Sequence, residues 1–227
     1  MGTQEVRPAW YALGGGGWRD YVTLLHPPYT VWHLSYVAIG AALAPMMDWA
    51  LLGWTILAFT LAMGVGAHAL DELHGRPLRT RIPSRLLVAL AVVSIAAACA
   101  IGIVVAAHHT WWLLLFVGAG AFVVVAYNLE LFGGRFHSDT WFGLAWGAFP
   151  LLTSYFAMRH RLGWEALLGA AFAFATALAQ RTLSTPVRHA RRSSGDPEAT
   201  RALERALQLL ALALPLLAGT LLVVRAA

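Results

Sequence analysis

Lysine is absent from this chain. All sixteen basic residues are arginine, set against eleven acidic ones, for a formal net charge of +5. Charge of either sign is scarce, at 12% of residues, about half of what an ordinary soluble domain carries, and this excludes a conventional water-facing surface. There is one cysteine, Cys99, so an intrachain disulfide is excluded. Lying among alanines in an apolar run, it reads as a packed small residue rather than a nucleophile. The polar and Gly-rich lead before the first apolar run, residues 1–27, has no cleavage signature, so no signal peptide is expected. The missing lysine points to a GC-rich bacterial genome.

Apolar length fills the space that charge leaves. Hydrophobic residues make up 59% of the chain, and the mean hydropathy is +0.64. Seven apolar segments, near 28–47, 50–70, 84–107, 110–128, 140–158, 163–182 and 205–225, reach or approach the roughly 20 residues needed to cross a bilayer. The pattern predicts an all-α polytopic membrane bundle of about seven transmembrane helices. Residues 28–227 form one transmembrane domain behind a cytoplasmic or interfacial segment, 1–27. Within that segment Gly14–Gly17 reads as a joint, and Trp18–His26 as a short amphipathic piece at the interface. Residues 184–202 read as a mobile loop, with Asp196 as N-cap and Pro197 at the first position of the last helix.

Arginine placement sets the expected orientation. Arg7 and Arg19 lie in the lead; Arg76, Arg79, Arg81 and Arg85 follow the second apolar segment, and Arg135 follows the fourth. Arg181, Arg188, Arg191, Arg192, Arg201 and Arg205 follow the sixth, which leaves Arg159, Arg161 and Arg225 for the other side. The positive-inside rule then puts the N-terminus in the cytoplasm, in a bacterial inner membrane. Arginines on loops between spans suit anionic lipid headgroups or a phosphorylated substrate, and nucleic acid is excluded as a partner.

The embedded polar residues gather on that same side. His33 lies about a turn into the first segment, and His68, Asp71 and Glu72 close the second. Asn128 and Glu130 close the fourth, His137 and Asp139 open the fifth, and Gln180 and Arg181 close the sixth. Ionisable groups at membrane depth are costly unless paired or used, so their convergence marks a candidate site. Each also has a plainer role. Asp71, Glu72 and Glu130 suit helix ends paired with arginine, His33 suits a core histidine bonded to a carbonyl, and His74 and His137 suit solvent-facing loops.

These residues resemble the UbiA-type intramembrane prenyltransferase superfamily over about residues 20–190. Its second helix ends in Asn-Asp-x-x-Asp-x-x-x-Asp, followed by an Arg-Pro-x-x-Pro-Ile-Pro-Ser-like loop. Arg76-Pro-Leu-Arg-Thr-Arg-Ile-Pro-Ser84 is similar to that loop, and Ala126-Tyr-Asn128 and Gly143-Leu-Ala-Trp-Gly-Ala-Phe-Pro150 resemble the fourth and fifth helices. The first motif here reads Ala67-His68-x-x-Asp71-x-x-x-Gly75, one carboxylate and a histidine. The place of the second motif, Ala179-Gln-Arg-Thr-Leu-Ser-Thr-Pro-Val-Arg188, has no carboxylate. The family has nine helices where seven are counted here.

The resemblance implies an enzyme acting on an isoprenoid or other lipid-soluble substrate. Asp71, Glu72, Asn128 and Glu130 would carry catalysis, with magnesium as the divalent metal. Arg76, Arg79, Arg81, Arg181 and Arg188 would bind the phosphate, because arginine clamps it bidentately and can replace a metal. The set His33, His68, Asp71, Glu72, Glu130 and His137 alternatively offers nitrogen and oxygen ligands for iron, manganese or zinc in a redox or hydrolytic metalloenzyme. A third alternative is a non-catalytic lipid or isoprenoid carrier.

Overall fold

A computed structural model describes residues 7–13, 15–192 and 197–227, and among these every regular element is helical. A short helix α1, Trp18–Leu24, leads into α2, Pro27–Leu43. Next come α3, Trp49–Leu73, and α4, Ser84–His108. They are followed by α5, Leu113–Asn128, and α6, residues 139–159. The last two are α7, Trp164–Arg192, and α8, Pro197–Ala226. Four of these helices are long and apolar enough to cross a membrane: α3, α4, Trp164–Arg191 of α7 and Thr200–Ala226 of α8. Val88, Val92 and Val93 on α4, and Leu209, Leu212 and Leu216 on α8, stand exposed. Such uninterrupted apolar faces belong against lipid. The protein is an integral membrane helix bundle.

Helix ends follow local sequence. Helix α2 starts at Pro27, whose missing N–H costs nothing at a first-turn position, and stops at Leu43, just before Ala44-Pro45. Asp48 caps α3 by accepting from the Leu51 N–H at 2.9 Å, and Ser138 caps α6 from Trp141. Helix α2 is the centre of the bundle. It packs on α6 and α8, with Trp32 and Tyr36 fully buried among Leu151, Ala173 and Leu214. Gly40 permits this approach, because a Cβ there would run into the Leu151 carbonyl. Gly147 does the same between α6 and α7, where a Cβ would lie 2.5 Å from the Ala173 oxygen.

The structure departs from the sequence reading beyond the sixth apolar segment. The chain expected to leave the helix near residue 182 stays helical to Arg192, with Pro186 inside it. Gln180, Ser184 and Arg188, spaced by four, therefore share one face of α7. Pro197 begins α8 as expected, whereas Asp196, its expected cap, lies outside the described residues, as does Gly14 of the glycine joint.

Two helices contain π-helical stretches, Thr60–Ala67 in α3 and Gly143–Ala148 in α6. Such stretches recur at functional sites because the wider turn frees backbone groups. In α6 the sequence also leaves one carbonyl without its usual helical partner. The Trp146 carbonyl would pair with the N–H four residues on, and that residue is Pro150.

Candidate functional site at the polar end of the bundle

At the end where α2, α4, α6 and α8 begin and α3, α5 and α7 finish, the helices leave a cavity of about 110 Å³. Its wall includes His33 from α2, His68 and Asp71 from α3, Asn128 from α5, His137 before α6, and Gln180, Arg181, Ser184 and Arg188 from α7. Most of the polar residues that the sequence brings to one side thus share one space.

Three of the histidines are held in the same way. His33 Nδ1 donates to the Trp146 carbonyl at 2.8 Å, the carbonyl that Pro150 leaves open. His68 Nδ1 donates to the Gly64 carbonyl in the π-helical part of α3 at 3.1 Å, and His137 Nδ1 to the Tyr127 carbonyl at 3.0 Å. A carbonyl only accepts, so the proton of each ring sits on Nδ1, and Nε2 of the neutral ring is an acceptor. His33 is thus the carbonyl-bonded core histidine of its plainer reading and a cavity residue as well.

Residues 8–13 close over this site, a packing that no motif in them signals. Pro8, Ala9 and Tyr11 line the cavity beside His26 and Tyr29. Leu13 N–H donates to Thr23 Oγ1 at 3.0 Å, and the Tyr11 hydroxyl is 2.7 Å from His26 Nδ1. His26 holds a left-handed backbone, φ 45°, a strained conformation for a non-glycine residue. That backbone turns its ring onto His68, centroids 4.1 Å apart and 19° from parallel. Burial first, then the neighbouring His68 ring and the Arg188 charge, push the His26 pKa well below the ordinary histidine value. Burial likewise raises that of Tyr11. The one sequence signal for His26 was its place directly before the Pro27 helix start.

On the opposite wall Arg181 Nε donates to Asp139 at 3.0 Å and its guanidinium lies 5.4 Å from the Phe142 ring centroid. Three buried atoms on the lining find no hydrogen-bond partner: His26 Nε2, Tyr127 OH and Gln180 Oε1. Buried polar groups are normally satisfied, so such a concentration marks a place where polar ligand atoms belong.

Several expected site residues are elsewhere. Glu72, expected as catalyst and metal ligand, is fully buried beneath the 74–83 loop. Its Oε2 accepts from Leu78 N–H at 3.0 Å, and its Oε1 from Thr80 N–H at 2.8 Å and Thr80 Oγ1 at 2.9 Å. Arg76, expected on phosphate, donates to the Thr80 and Ile82 carbonyls and to Ser84 Oγ. Arg79 and Arg81 are exposed outside the cavity lining, and Arg81 N–H is held by Asp20 at 2.8 Å. Glu130, half exposed, lies 3.8 Å from His74 and 3.9 Å from His137, also off the lining.

That relocation decides the fit of a metal. Among the described residues Asp71 is the only carboxylate on the cavity wall. Among the described residues no three His, Cys, Asp or Glu side chains gather to hold a metal ion. A magnesium pair requires oxygen ligands from several carboxylates, and of the six residues expected for iron, manganese or zinc, His33, His68, Asp71 and His137 line the cavity while Glu72 and Glu130 lie off it. The residues present do not fit either metal site.

An apolar groove adjoins the cavity between α3, α4, α5 and α6. Phe59, Met63, Cys99, Phe116 and Phe149 line it, and Trp146 belongs to both spaces. No family model, curated protein or solved structure matches the chain.

Proposed function

We propose that this protein is an integral membrane enzyme resembling the UbiA-type prenyltransferases, acting on an isoprenoid or other lipid-soluble substrate with an anionic head. In this reading seven helices cross a bacterial inner membrane, and the N-terminus and cavity face the cytoplasm. The observation that carries it is the join at Trp146 between a polar cavity with two arginines and a groove of almost wholly apolar lining. An amphiphile fits that pair of spaces, head in one and chain in the other. Arg181 and Arg188 hold the head and take up the charge that develops on a leaving phosphate. Asp71 and Asn128, with Asn128 Nδ2 tied to the Val124 carbonyl at 2.7 Å, orient the group that attacks. With the donor set unsuited to magnesium, Arg181 and Arg188 take up the phosphate charge without a metal.

The test is conversion of farnesyl diphosphate by the protein in lipid nanodiscs, read as pyrophosphate release and as product mass. The reading expects turnover that falls by about 10²-fold in Asp71→Asn and in Arg188→Gln. Turnover unaffected by both substitutions overturns the site. Binding of the probe with no conversion overturns the enzyme and leaves a carrier.

A further inference from the structure

The cavity is not equipped for an anion alone. Anion sites are made of donors, and here Arg181 and Arg188 supply them from α7. The facing walls are rich in acceptors. With Nδ1 of His33, His68 and His137 committed to backbone carbonyls, Nε2 is the ring nitrogen each has left for a ligand. Gln180 adds an acceptor, Oε1, buried and without a partner. Asn128 has its amide nitrogen bound to its own helix, leaving its oxygen as the polar atom for the cavity. Pinned imidazoles of this kind often serve a metal, but the donor positions here do not gather around a point. Acceptors spread around a cavity wall match several donors spread over one ligand.

We propose that the cavity is a metal-free site for a phosphate carrying neighbouring hydroxyl or amine groups, with the phosphate at Arg181 and Arg188 and the hydrogen-bond donors at Nε2 of His33, His68 and His137. This rests on the cavity being the head site described above. The histidines come from three separate elements, so their acceptors face different parts of the ligand, and a compact polyol phosphate satisfies more of them than a bare phosphate does. Such a head comes from one of two sources, a soluble polyol phosphate or the headgroup of a hydroxyl-bearing phospholipid.

The experiment measures binding to the full chain in nanodiscs, with EDTA and again with magnesium. Glycerol 3-phosphate is compared with propyl phosphate, and phosphatidylglycerol with phosphatidic acid. In at least one pair the hydroxyl-bearing member is expected to bind at least about tenfold more tightly, equally with and without magnesium. The pair that shows the preference identifies the source. His68→Leu and, in the loop, His137→Leu each reduce it to about twofold or less, while His68→Gln, which restores an acceptor near the Nε2 position, retains most of it. Equal binding within both pairs, or a preference that requires magnesium, overturns the proposal. If both members of a pair bind equally and Arg188→Gln abolishes both, the head site stands and only the hydroxyl preference falls. If none of the four probes binds, both fall together.

Discussion

The 74–83 loop and the cavity beside it meet along Asp71–Leu78, yet they treat polar groups in opposite ways. At the loop, side chains are spent on holding the backbone. Glu72 holds Leu78 and Thr80, Asp20 holds Arg81, and Arg76 holds the Thr80 and Ile82 carbonyls. One residue before Glu72, Asp71 lines the cavity together with His33, His68 and His137. Adjacent carboxylates on α3 thus divide between the loop and the cavity, because neighbouring helical positions sit about 100° apart. The lesson is that a charged cluster at a membrane helix end is resolved by where its hydrogen bonds go.

Substitutions on the two sides should separate cleanly. The largest effect belongs to the loop. Glu72→Ala strands three buried donors and should cost about 3 kcal/mol, read as a lower unfolding temperature in detergent and faster proteolysis within 74–83. Asp71→Asn should do the converse, lowering farnesyl diphosphate conversion about 10²-fold with a stability change under about 1 kcal/mol. If Asp71→Asn unfolds the protein while Glu72→Ala only slows it, the division is reversed. Gly40→Ala should destabilise by about 1–3 kcal/mol through overpacking of α2 against α6, without selective loss of binding, as unfolding and binding curves would report together.

A smaller effect concerns the segment over the cavity. His26 has its pKa lowered on folding, so at acid pH the open or unfolded state binds more protons. Docking of residues 8–13 is therefore complete above the ordinary histidine pKa of about 6.5 and weakens as pH falls below it. Limited proteolysis of the N-terminus should accelerate over that range, and His26→Phe should flatten the profile. Smallest of all, Arg79→Ala should leave stability within about 0.5 kcal/mol and binding unchanged. A large loss of probe binding in that variant would return the loop to the site.

The fold was legible in the apolar runs, since each of the seven overlaps a helix and α4 matches its run to within a residue. What misled was polarity beyond a run. Arg188 and Ser184 looked like loop because Pro186 and three nearby arginines break the apolar pattern, whereas α7 continues through Pro186 and carries both onto the cavity wall. The convergence of His33, His68, Asp71, Asn128 and His137 was legible from the alternation of helix ends. The withdrawal of Glu72 and Arg76 was not, because it depends on a loop backbone with positive φ at Gly75, Arg76 and Arg79. Nor was the cover over the site, since nothing in the Tyr11 or His26 neighbourhood signals that they meet.

The most direct measurement of the central claim is a high-resolution structure of the protein prepared in EDTA with a farnesyl diphosphate or native amphiphile bound. The anionic head is expected within hydrogen-bond distance, about 3 Å, of Arg181 and Arg188, with the chain passing Trp146 into the groove beside Phe59 and Phe149. A head seated on the Arg76–Arg81 loop, or one that binds only through a divalent ion at Asp71, would contradict it.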